Sequence, residues 1–158
     1  MNIQELRKIF NNAVYEVFEK MYYVFLEGRE RHLPERRERV LNISFSGPAT
    51  GNIVVFFSEG LAQQMIANSL NLDREEVTEP IRQDCLKECL NMICGDFLQK
   101  YNPDRLFKMG LPIYGEPAAG TAAGGTGEGV VYVAFDGDGG GYFEAVLMMN
   151  DEQFTRED

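Results

Sequence analysis

A chain of 158 residues and 17.9 kDa has room for one domain. With 44% apolar and 25% charged residues it can bury a core, and bulk disorder is excluded. No apolar run reaches the roughly 18 residues that span a bilayer. A net charge of -10 and a pI of about 4.6 repel phosphate backbones and anionic lipid, which argues against nucleic acid or membrane partners. The opening Met-Asn-Ile-Gln-Glu-Leu lacks the basic start and apolar stretch of a secretory signal, so a cytoplasmic location is expected. Residues 1–150 are expected to form one domain and 151–158 an acidic, frayed tail.

In chain order, Ile3, Leu6, Phe10, Val14, Val17, Phe18, Met21, Val24 and Phe25 recur every three or four positions. That period predicts an amphipathic helix over 3–27, stopped at Gly28. An Arg/Glu-rich segment at 29–39, containing His32 and Pro34, reads as a solvated, self-neutralising loop, with a basic docking patch as the alternative. Leu41, Ile43 and Phe45 alternate with polar residues. The turn-forming run 46–52 and the apolar run Ile53–Phe57 follow, predicting a β-hairpin. Ser58 is a suitable N-cap for a helix over 59–70, and Thr78 for a second, with Pro80 in its first turn and an end before Pro103. Strands are predicted at 107–114, 129–135 and 142–149, the last two joined by Asp136-Gly-Asp-Gly-Gly-Gly141. Hairpin-joined strands with helices between them give an α+β fold: an antiparallel sheet with helices packed on one face.

Most chemistry-bearing patterns fail on inspection. The glycine-rich run 115–129 lacks the Lys and Ser/Thr of a phosphate loop. Asp136 and Asp138 suggest a calcium loop, but Gly140 and Leu147 stand where its other acidic ligands belong. Cys85, Cys89 and Cys94 lie within ten residues, yet His32 is the single histidine, so a zinc set is not completed. The cysteines read as core fillers, and no metal or cofactor of the protein's own is expected.

The helix from Pro80 to Lys100 is different. On a wheel of about 100° per residue, Ile81, Cys85, Leu86, Cys89, Leu90, Ile93 and Phe97 form one apolar arc. Asp84, Glu88, Asn91 and Gly95 fall on a narrow stripe of the opposite face. Glycine costs about 1 kcal/mol in mid-helix relative to alanine, and asparagine is a mediocre helix former. Gly95 would let another surface approach the backbone. The Asn91 amide can donate and accept together, and so hold a water in one orientation.

The run Lys87-Glu-Cys-Leu-Asn-Met-Ile-Cys-Gly95 resembles the Glu-x-x-Asn-Met-Ile-x-Gly signature of the CheC/CheX chemotaxis phosphatases. The resemblance extends over about residues 5–149 by element order, and it is to CheX, with one such motif, rather than to CheC, with two. It implies a phosphatase acting on the aspartyl phosphate of a CheY-like response regulator, whose own acidic pocket holds Mg²⁺. It implies that Glu88 pairs with the regulator's active-site lysine and that Asn91 aligns the attacking water. Asp84 and Gly95 would lie against the partner. A homodimer is expected on the same ground, and because a short apolar sheet with an uncovered edge invites pairing. The alternative is a docking module for a response regulator or flagellar switch component, without turnover. In the first helix Glu16-Val-Phe-Glu19-Lys-Met21 aligns loosely with Glu88 to Ile93. It reads either as the relic of an internal repeat, with Glu19 in the place of Asn91, or as an ordinary charged helix face.

Overall fold

The computed structural model describes residues 1–29, 38–117 and 128–151. The first helix, α1 (Ile3–Tyr22), opens on a capping box: Asn2 accepts from the Glu5 amide at 2.9 Å, and Glu5 accepts from the Asn2 amide at 3.3 Å. It ends five residues earlier than its apolar period predicts. Tyr23 takes the left-handed conformation at φ 55°, and the Val24 amide turns back onto the Phe18 carbonyl at 3.1 Å. The buried Val24 then anchors this helix stop against the core. Leu26–Arg29, read from sequence as helix end and loop, form a strand, β1, on the edge of the sheet. Gly28 therefore lies in a strand and does not end a helix.

The expected hairpin is present as β2 (Arg39–Ser46) and β3 (Thr50–Phe57), with Ile43 opposite Ile53. Ser58 caps α2 (Glu59–Leu70), its hydroxyl accepting from Leu61 at 3.1 Å and from the Tyr142 amide at 3.0 Å. A 3-10 turn at Arg74–Glu76 precedes α3 (Glu79–Tyr101). The strand expected over 107–114 is broken into two short ones, β4 (Lys108–Met109) and β5 (Ile113–Tyr114). Pro112 has no amide to give a ladder, and Gly110 makes the local bond instead, to the Ser44 carbonyl at 2.8 Å. The long hairpin β6 (Glu128–Gly137) and β7 (Tyr142–Asn150) completes the sheet.

Every pairing is antiparallel, and the strand order is β1-β6-β7-β3-β2-β4, with β5 also on β2. The three helices cover one face. Against them the sheet presents Ile43, Phe45, Ile53, Phe57, Phe143, Leu147 and Phe135, all buried. Phe18 of α1 packs edge-on to Phe143 at 4.9 Å, which ties the helix to the centre of the sheet. α1 runs against α3 in the opposite direction: Phe10 meets Phe97, while Tyr22, twelve residues later, lies beside Cys89. Asp151 is not frayed. It is 8% exposed and accepts from the Tyr101 hydroxyl at the end of α3. The remaining tail, 152–158, lies outside the described residues, as do residues 30–37 and 118–127.

Candidate functional site

α3 is braced at both ends and along its underside. At the start, Thr78 caps it, accepting from the Ile81 amide at 3.4 Å, and Pro80 occupies the first turn. Arg39, at the start of β2, grips Glu79 with both terminal nitrogens at 2.6 and 2.8 Å and bonds Glu59 through Nε. One guanidinium thus fixes the N-termini of α2 and α3 to the sheet. It holds the Glu79 carboxyl down to about 2, well below the carboxylate range. On the underside Cys85, Leu86, Cys89, Leu90, Ile93, Cys94, Phe97 and Leu98 are buried. Burial pushes the thiols up, Cys85 to about 11 and Cys94 to about 12. They stay neutral at pH 7, which suits packing and not nucleophilic chemistry.

The outer face carries the stripe read from the sequence. Asp84, Glu88 and Asn91 are exposed and Gly95 is half-buried. Among the described residues none of the three side chains makes a hydrogen bond or ion pair. Other asparagines are engaged: Asn2 caps α1, Asn42 bonds the Gly115 carbonyl at 2.8 Å, and Asn68 bonds the Tyr22 carbonyl at 3.0 Å. The neighbouring cation is also occupied, with Lys87 lying over the Tyr114 ring at 5.8 Å. Nothing among the described residues requires Gly95. A Cβ there would meet the Met109 sulfur at 3.8 Å, an ordinary contact. The helix therefore accepts the cost of a glycine and an asparagine on a face where neither serves an internal contact.

The corresponding stretch of α1 is used differently. Glu16 accepts from Lys20 at 2.9 Å and is paired with Lys100 of α3 at 2.6 Å. These two lysines, Lys100 first, hold its carboxyl down to about 2. Asp96 sits 3.7 Å from Lys100, and burial raises its pKa. Glu19 is exposed, so position for position with α3 the second acidic residue faces solvent while the first acts as an interhelical brace. Because the Glu16 pKa is depressed, its stabilisation is present above about pH 4.5 and is lost as pH falls toward 2. The denaturation midpoint of Glu16→Gln is therefore expected to lie below that of wild type at pH 7, with the gap narrowing below about pH 4.5 and closing only as pH approaches about 2. A gap that is constant with pH would remove the ion pair from this role.

The other sequence candidates separate from this site. Asp136 pairs with Arg29 at 3.2 Å, and Asp138 accepts from Gln64 at 3.0 Å, so both acids fasten the β6–β7 turn to its neighbours. Among the described residues no three His, Cys, Asp or Glu side chains are grouped to hold a metal. His32 and the centre of the glycine-rich run are outside the described residues. A feature not read from the sequence is a groove of about 390 Å³ beside Glu88, where α1, α2 and α3 meet. Its signal was Met21 and Leu70, apolar residues near helix ends that remain 48% and 43% exposed.

The model of the family described as chemotaxis phosphatase CheX matches residues 40–136, from β2 through β6, and contains the whole of α3. No curated protein sequence matches the chain. Solved structures are similar in fold. CheX from Vibrio vulnificus superposes with a TM-score of 0.67 at 19% identity, covering 91% of this chain and 96% of that one. CheX from Desulfovibrio desulfuricans gives 0.68 at 18%, covering 92% and 99%. The CheX–CheY–BeF3–Mg complex from Borrelia burgdorferi gives 0.68 at 18%, covering 91% and 97%. No helix among the described residues is long and apolar enough to cross a membrane. With the family match spanning more than half of its length, the chain belongs to the CheX family of chemotaxis phosphatases.

Proposed function

We propose that this protein accelerates hydrolysis of the aspartyl phosphate on a CheY-like response regulator, with one site per chain formed by Glu88 and Asn91. The observation that carries the reading is the exposed, unengaged Glu88–Asn91 pair on a helix braced everywhere else. The fold shared with a CheX seen in complex with CheY adds support. The two side chains are three residues apart and so neighbours on the helix surface. Glu88 pairs with a lysine of the regulator and sets the register of docking. Asn91 holds a water in line with phosphorus. Phosphoryl transfer asks for positioning and charge stabilisation more than for a strong base. A neutral amide supplies that positioning without adding negative charge beside an anionic phosphoryl group. Glu19, a carboxylate at the matching place on α1, would repel it. The Mg²⁺ belongs to the regulator's own acidic pocket.

The test is the decay of phosphorylated CheY receiver domain with and without a small molar fraction of this protein. Acceleration beyond one phosphate per chain supports the phosphatase. Stoichiometric binding without acceleration supports a docking module.

Gly95 gives a prediction of opposite signs. Gly95→Ala is expected to raise stability by about 0.5–1 kcal/mol, since the added methyl meets only the Met109 sulfur at an ordinary 3.8 Å and the helix gains propensity. The same methyl is expected to weaken regulator binding, because it stands on the face the partner covers. Thermal melting and steady-state kinetics on one preparation check both. A more stable variant with unchanged KM would take Gly95 out of the interface.

A homodimer and a cytoplasmic location complete the proposal. The edge of β6 beyond its pairing with β1 carries Val130 at 50% exposure, an apolar edge suited to pairing. Sedimentation at micromolar concentration is expected to give a dimer, and a monomer there would contradict it.

A further inference from the structure

The groove beside Glu88 is used by neither the attacking water nor the lysine assigned to Glu88. It opens between the C-terminal ends of α1 and α2 and the first half of α3. Met21, Leu70, Ile81 and Met92 give it apolar walls, and Asp84 and Glu88 stand in its lining. Among the described residues no lysine or arginine lines it. Among the described residues of the neighbouring helices, Lys87 lies over Tyr114, and Lys20 and Lys100 pair with Glu16. The groove therefore combines two carboxylates that have no ion-pair partner among the described residues with walls that favour hydrocarbon. A phosphate or nucleotide would be repelled by the carboxylates. A purely apolar side chain would desolvate them without compensation.

An aliphatic stem with a cationic head satisfies both demands. We infer that the groove receives a second cationic side chain of the partner, a lysine or arginine whose stem lies between Met21, Leu70 and Met92 and whose head meets Asp84. Asp84 and Glu88 are one helical turn apart, so each takes its own cation. This inference rests on the reading that the partner is a phosphorylated receiver domain. It makes Asp84 and the groove walls specificity determinants, reading a part of the regulator outside its phosphorylation pocket.

The experiment uses a CheY receiver domain, phosphorylated with acetyl phosphate for turnover and activated with beryllofluoride for binding. Asp84→Asn is expected to raise KM and Kd up to about fivefold at low salt, with kcat kept, and the difference is expected to vanish near 1 M salt. Leu70→Ser is expected to raise both without that salt dependence. Wild-type turnover with KM and Kd unchanged in both variants overturns the groove and leaves the phosphatase standing. Wild-type binding without acceleration overturns the phosphatase, and the Kd series then decides the groove. A wild type that neither binds nor accelerates overturns both.

Discussion

Replacing Asn91 by alanine is expected to lower kcat about a hundredfold while KM changes little. The amide is exposed and bonds nothing among the described residues, so its removal costs the fold under about 0.5 kcal/mol and any change in helix propensity is favourable. Its proposed work is done in the transition state, on the attacking water, and losses of that kind fall on kcat and kcat/KM together. Glu88→Ala is expected to behave differently. A carboxylate that pairs with a partner lysine contributes to association, so KM rises as well, and more at low ionic strength. Steady-state dephosphorylation across regulator concentrations and two salt concentrations separates the two patterns. If both variants show the same KM-dominated defect, Asn91 is a docking residue and not a water-positioning one.

The second large effect is structural. Phe97→Ala is expected to destabilise the protein by about 3–5 kcal/mol, a substantial part of a stability of about 5–15 kcal/mol. Phe97 is fully buried two residues beyond Gly95. Its ring lies edge-on to Phe10 of α1 at 5.6 Å, against Phe45 of β2 at 6.4 Å, and stacks with Tyr101 at 5.8 Å. One side chain thus joins the site helix to its neighbour helix and to the sheet. The docking and water-positioning proposed for α3 leave little tolerance for movement, so the folded fraction of the variant is expected to turn over more slowly than wild type. Urea unfolding followed by turnover of the folded fraction checks both parts. A loss under about 1 kcal/mol would show that α3 is held by other contacts.

What was legible in the sequence was set by local chemistry. Ser58 and Thr78 each accept from the amide three residues on, and both helices begin where those caps predict. The outer stripe of α3 was legible because glycine and asparagine in mid-helix conflict with propensity. That conflict persists in the fold, where neither residue has an internal partner. β1 was not legible. Val24 and Phe25 continue the helical phase of α1, and the left-handed stop falls on Tyr23, a residue with no propensity for it. The strand forms because β6 offers an unpaired edge, which no local pattern around residue 26 contains. Arg39 was read as part of a solvated basic loop. Its role as a clamp depends on Glu59 and Glu79, 20 and 40 residues away, which only the folded chain brings together. The groove is likewise a product of three helices meeting.

The most direct measurement of the central proposal is phosphate released per chain from excess phosphorylated CheY receiver domain, run in parallel with binding of the beryllofluoride-activated receiver. Wild type is expected to release many phosphates per chain. Asn91→Ala is expected to bind the activated receiver as wild type does, yet to release phosphate about a hundredfold more slowly per chain. Full turnover by Asn91→Ala would contradict the role given to its amide.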